Sequence, residues 1–184
     1  MNKLNVAVIV GSLRKESFNR HLANAIVKLA PENVNFKFIE IGNLPLYNQD
    51  DDDHQADSVK KMKAEIGECD GVLFVTPEYN RSIPGVLKNA LDHGSRPYGK
   101  SVWGKKPAAI IGISQSPVGT ALAQQHLRGV LATLDMPTLC QPEMFLQLKE
   151  GFFDEAGDIG QGGRQFIQSW MDRLLSWISA NKGS

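Results

Sequence analysis

Two hydroxyls, a guanidinium and an amide fall within eight residues in the stretch GSLRKESFN, residues 11–19: Ser12, Arg14, Ser17 and Asn19. Hydroxyl and amide groups are neutral donors, and an arginine adds a charge-assisted bond to an oxyanion. The stretch follows a β-branched apolar run, Leu4–Val10, and opens a helical pattern running from Asn19 to Ala30. Leu22, Ala25, Ile26 and Leu29 share one face of that helix, and Pro31 stops it. A helix N-terminus adds unpaired N–H groups and the positive end of the macrodipole. The chemistry this supports is phosphate binding. The alternative is structural: Ser17 or Asn19 caps the helix while Arg14 and Lys15 are solvated.

The other phosphate motifs fit badly. No GxxxxGK[ST] is present, which argues against a nucleoside triphosphate with magnesium, and no GxGxxG follows the first strand. Glu40 could mimic the ribose-binding acid of a dinucleotide fold but reads more simply as a strand-end residue. A cysteine phosphatase needs a Cys at the loop start, where Val10-Gly11-Ser12 has none. What survives is one terminal phosphate held without metal, as in a mononucleotide.

A second loop, TPEYNRSIPGVLKNALD at residues 76–92, is stiffened by Pro77 and Pro84. Its Glu78, Tyr79 and Asn80 could present backbone groups and an aromatic wall to a flat heterocycle. A third, ISQSPVGT at 113–120, is small and polar, with Ser114 and Ser116 at the tip and Gly119 giving the backbone room. A phosphate loop, a rigid aromatic loop and a small polar loop together suit FMN.

Elements that alternate along the whole chain must position these loops. A second strand is expected at Val34–Ile41, a helix at Ser58–Ile66 and a third strand at 71–76. A helix with Pro84 at its first position follows over 84–92, then a strand at 107–114 and a helix at Gly119–Leu134. A short strand is expected near Thr138–Cys140, then a flexible loop GFFDEAGDIGQGG, then a helix from about Gln165 to Ala180. Alternation with buried strands implies an α/β fold, a parallel sheet flanked by helices, and five strands in a chain of this size suit a flavodoxin-like three-layer sandwich with sheet order 2-1-3-4-5, in one domain spanning residues 1–184. Ligands of such sheets bind beyond the carboxyl ends of the strands, at the switch point beside the first strand, where the three loops converge.

Composition narrows the function class. Twenty basic residues balance twenty acidic ones, so nothing pulls the chain as a whole toward nucleic acid or an anionic membrane. No signal-peptide pattern opens the sequence and no apolar stretch is long enough to span a bilayer, so the expected compartment is the cytoplasm. Cys69 and Cys140 have no metal-ligand spacing and read as two buried thiols. DDDDH at 50–54 reads as a solvated loop rather than a metal site, and His21, His54, His93 and His126 make no metal motif. Trp103, Trp170 and Trp177 read as core or interface residues.

The pair GSLRKESFN and PEYNRSIPGVLKNALD resembles the NAD(P)H-dependent FMN reductases, most closely the bacterial chromate/quinone reductases among them, over about residues 4–180. The resemblance assigns Ser12, Arg14, Ser17 and Asn19 to the FMN phosphate, within a cofactor loop that also includes Leu13, Lys15, Glu16 and Phe18. It places Pro77, Glu78, Tyr79, Asn80 and Arg81 at the flavin ring, with Ser114 near it. Arg81 replaces an aromatic residue of some relatives, and Pro117 a more glycine-like loop. Members are dimers or tetramers, which implies a homodimer or homotetramer with Arg128 and Glu143 pairing across an interface. The implied reaction passes hydride from NADH or NADPH to flavin N5 and then to a quinone or similar small-molecule acceptor (chromate, ferric or azo compounds among them), by ping-pong kinetics and with no catalytic side chain. Arg81 is the candidate to attract the nicotinamide cofactor's phosphates. The competing functions are a flavodoxin-type electron carrier, a reductase using free FMN as substrate, and an interaction module with no cofactor.

Overall fold

Strand β1 (Leu4–Val10) is buried on both sides, and its alternating side chains divide the interior in two. Val6, Val8 and Val10 face one helical layer, with Leu22 and Ile26 of α1 (Phe18–Val27) and Trp170, Met171 and Leu174 of α5 (Gln161–Asn181). Ala7 and Ile9 face the other, built from α2 (Asp57–Gly67), α3 (Gly85–Ser95) and α4 (Ala121–Thr133). Between the layers lie β2 (Val34–Phe38), β1, β3 (Gly71–Val75), β4 (Ala108–Ser114) and β5 (Met144–Gln147), in that spatial order and all parallel. The order 2-1-3-4-5 is the flavodoxin-like arrangement expected from the alternation. The computed structural model describes residues 3–183.

Several elements differ from expectation for local reasons. Helix α1 stops at Val27 because the Leu29 and Ala30 amides bond Ile26 and Val27 in a tightened last turn ahead of Pro31. Pro84 caps α3 instead of starting it, and the helix runs on to Ser95. The fifth strand is Met144–Gln147, not Thr138–Cys140. Thr138 makes one parallel bridge to Ala108, and after Pro142, which has no N–H to donate, the chain resumes pairing further along β4 at Ile111–Ser114. The stretch read as a flexible loop is a small hairpin closed by a Phe153–Ile159 bridge, and α5 begins at Gln161 and absorbs two of its glycines. DDDDH lies in a 3₁₀ turn, Gln49–His54. Cys69 is buried, but Cys140 is exposed. Trp103 and Trp170 are core residues, and Trp177 is partly buried with its indole N–H on the Pro137 carbonyl.

No helix among the described residues is long and apolar enough to cross a membrane.

Candidate functional site

The carboxyl ends of β1, β3 and β4 are adjacent in the sheet, so the loops that follow them, 11–17, 76–84 and 115–120, surround one crevice. In the first loop Ser12 and Ser17 are buried, while Leu13, Arg14, Lys15 and Glu16 are exposed. Ser17 is the N-cap of α1, and its hydroxyl accepts from the Arg20 amide at 3.3 Å. The capping alternative is therefore realised at Ser17, which still has a hydroxyl proton to give. The Phe18 and Asn19 amides of the first turn meet no acceptor among the described residues. The Arg14 guanidinium lies over the Phe18 ring, 4.7 Å from its centroid, and is held above the helix entrance. Glu16 leans toward His21, 3.9 Å away.

Asn19 was expected as a phosphate donor, but its side chain is committed elsewhere. Its amide donates to the Ile113 carbonyl at 2.9 Å and accepts from the Ile113 N–H at 3.0 Å. Strand β3 supplies the last ladder partner when the Thr76 amide bonds Ile111, and then turns away at Pro77. Two residues further along the same edge of β4, Asn19 takes the place of the missing strand. Only its backbone N–H faces the helix entrance.

In the second loop, Thr76 is fully buried and bonds the Pro77 carbonyl. Tyr79 and Ser82 exchange two backbone bonds, 2.9 and 3.0 Å, around Asn80 and Arg81, both of which have positive φ, 51° and 66°. Two successive left-handed residues make a type I′ turn, a fixed shape with no slack. Tyr79 is left half exposed. The Glu78 side chain reaches the amides of Leu122 and Ala123 in the first turn of α4. Arg81 reaches within 3.8 Å of the same carboxylate and is otherwise open to solvent.

The third loop is built by its own hydroxyls. Ser114, expected near the ring, donates to the Gly119 carbonyl at 2.7 Å and accepts from the Ser116 amide. Ser116 in turn accepts from the Val118 amide. Gly119 has φ +64°, and a Cβ there would lie 2.8 Å from the Phe145 carbonyl carbon, so no other residue fits the turn.

The sequence gives no signal for Thr120 and Gln124, both fully buried. Gln124 bonds the Thr120 hydroxyl and the Met144 carbonyl, fastening α4 to β5. Arg128 and Glu143 are 3.8 Å apart within one chain, and Arg128 also donates to the Leu139 carbonyl.

Charge elsewhere does not belong to this crevice. A cavity of about 480 Å³ lined by Cys69, Asp70, Lys105, Lys106 and Lys182 lies at the opposite, amino end of the sheet. Burial there pushes the Cys69 thiol up and the Lys106 ammonium down. No group of three His, Cys, Asp or Glu among the described residues could hold a metal ion.

The crevice thus offers helix-end amides with no acceptor among the described residues, two buried hydroxyls and an exposed guanidinium at one end, and a rigid turn with an exposed aromatic ring at the other. This donor set fits FMN: an anion at the helix entrance and a flat ring along the turn. Comparison with known proteins agrees with this chemistry. Residues 4–150 match the model of a family described as NADPH-dependent FMN reductase. A 2-hydroxy-1,4-benzoquinone reductase of a Burkholderia species is 52% identical over 95% of this chain and 96% of its own. A quinone reductase of Pseudomonas putida is 46% identical, over 97% and 96%. The solved structure of a flavoenzyme NAD(P)H:(acceptor) oxidoreductase from Paracoccus denitrificans superposes with a TM-score of 0.93 at 39% identity, covering 97% of this chain and 99% of the other.

Proposed function

Because this chain belongs to the NADPH-dependent FMN reductase family, and so is an FMN-dependent oxidoreductase using NAD(P)H, we propose that its working acceptor is a quinone and that donor and acceptor use one open face in turn. Bound FMN supplies the redox chemistry, taking hydride from NAD(P)H and giving electrons to the quinone. The chain's own residues bind and orient. The observation that carries this reading is the pair of unpartnered first-turn amides of α1 above buried Ser12 and Ser17, next to the rigid Tyr79–Ser82 turn. In this assignment the Phe18 and Asn19 amides, the serine hydroxyls and Arg14 hold the phosphate, with Leu13, Lys15 and Glu16 forming the loop around it. Within Pro77–Asn80 the Glu78 and Asn80 amides, the N–H groups not used in the turn, donate to the pyrimidine edge of the ring, where negative charge develops on reduction. Exchange of substrates at one face gives ping-pong kinetics, and the homodimer or homotetramer and the cytoplasmic location belong to the same proposal.

The test is an anaerobic absorbance titration: a yellow protein that bleaches on NAD(P)H addition and regains its colour with a quinone, without a partner protein. A colourless protein whose melting temperature ignores added FMN overturns it. Arg14→Ala is expected to weaken FMN binding by about 1.5–3 kcal/mol, the usual value of a hydrogen bond to a charged group. Calorimetric titration checks it, and unchanged affinity removes Arg14 from the phosphate site.

Arg81 is the exposed cation beside the ring loop, so we assign it to the phosphates of the nicotinamide cofactor. Arg81→Gly suits the positive φ at that position and leaves the turn in place. It is expected to raise the KM for NAD(P)H by about three- to fivefold at low salt, as for an exposed charge pair, with kcat nearly constant. The difference should shrink as ionic strength rises. An effect confined to kcat excludes the role.

A further inference from the structure

The Glu78 carboxylate is the cap of a helix that lies far along the chain. Helix α4 begins after Thr120, which gives no side-chain cap, because its hydroxyl is taken by the Gln124 amide. The first-turn donors of α4 need an acceptor from elsewhere. Glu78 Oε2 supplies it, accepting from Leu122 N at 2.9 Å and Ala123 N at 3.1 Å. The other oxygen faces Arg81 at 3.8 Å, and the side chain is only 11% exposed. One carboxylate therefore ties the β3–α3 loop to α4. A second tie lies four residues on, where the Ser82 hydroxyl and a His126 ring nitrogen are 3.0 Å apart.

Between these two ties sits the Tyr79–Ser82 turn. The Pro77–Asn80 backbone can hold a fixed place only if the loop cannot swing off α4. We propose that Glu78 is a positioning residue: it sets the flavin-ring loop by its reach to the α4 N-terminus, not by its charge at the ring. This rests on the assignment of the ring to that loop.

Two variants separate reach from charge. Glu78→Gln keeps the length and an acceptor oxygen but loses the charge. Glu78→Asp keeps the charge and is one methylene too short. Three readings are taken: amide hydrogen exchange at Leu122 and Ala123 in the flavin-free protein, FMN affinity by fluorescence quenching, and the visible band of bound FMN. Glu78→Gln is expected to keep amide protection and FMN affinity within about threefold of the parent and to leave the bound spectrum in place. Glu78→Asp is expected to speed exchange and weaken FMN binding, each about tenfold, as for a lost charged cap, with the band shifting toward that of free FMN. The opposite ranking, with aspartate retained and glutamine impaired, overturns the proposal, as do two variants that both match the parent. If the parent protein itself binds no FMN, the ring assignment fails, while the exchange rates still report whether Glu78 caps α4.

Discussion

Alanine at Gly112 is expected to cost about 3 kcal/mol or more of unfolding free energy, at the upper end of what overpacking a core does. A Cβ there would sit 2.2 Å from the Thr76 carbonyl oxygen and 2.2 Å from Thr120 Oγ1. Neither neighbour has room to move. Thr76 is locked into the ladder through its amide on Ile111, and its carbonyl is backbone. Turning Thr120 aside would strip the buried Gln124 amide of an acceptor and would still leave the carbonyl clash. Relief has to come from parting β3 and β4 at their carboxyl ends. Thr76 leads into the ring loop and Thr120 into α4, so the damage falls on two walls of the crevice at once. Urea unfolding of Gly112→Ala should show a lower midpoint at constant slope, and whatever folds should bind FMN poorly. A loss under 1 kcal/mol would mean that the sheet opens more easily than its register suggests.

The second large effect is expected at Asn19. Its side chain satisfies both backbone groups of Ile113 while being only 3% exposed. Asn19→Ala leaves a buried N–H and a buried C=O without partners, for a loss of about 2–4 kcal/mol. Asn19→Asp keeps the shape and fails on one side only. A carboxylate can accept from the Ile113 N–H but faces its carbonyl oxygen in a buried setting, so the folded form favours the protonated acid. Its folded pKa then lies above the unfolded one, and the native state binds more protons. Stability of this variant is therefore restored as pH falls through the folded pKa and lost as pH rises, the reverse of the usual carboxylate. Denaturation series at several pH values check the sign. A pH-independent loss would show that Asn19→Asp has found a different partner.

The overall plan was legible because it follows from periodicity. Unbroken apolar runs such as VAVIV and GVLFV are what a strand covered on both faces requires, and the helices between them fix the topology. The location of the crevice followed from that topology. The duties of its side chains did not. Asn19, Glu78 and Ser114 are all polar residues at the correct end of the sheet, Asn19 expected at a phosphate, Glu78 to offer its backbone to a flat ring and Ser114 to lie near that ring. The side chains of all three bond the protein's own backbone, which their positions in the sequence do not reveal. Asn19 finds its partner 94 residues away and Glu78 finds its own 44 and 45 residues away, and no local pattern announces such a match. The fifth strand was misplaced for a related reason. Thr138 does pair with β4, but once only, and the continuous pairing comes after Pro142, a choice made by β4 and not by the segment itself. Cys140, expected to be buried, is exposed two residues past the single bridge, while its neighbour Leu139 is the residue that is covered.

The stand-in strand formed by Asn19 also sets a timetable. A chain still emerging from the ribosome holds its opening strand, both serines and the helix behind them long before Ile113 is made. Until β4 docks, that helix has nothing to grip at its entrance, and the anion cradle is a sketch without a frame. Cofactor capture is in consequence expected to come late in biogenesis. Fragments that end before β4 should be blind to FMN even where their secondary structure has formed.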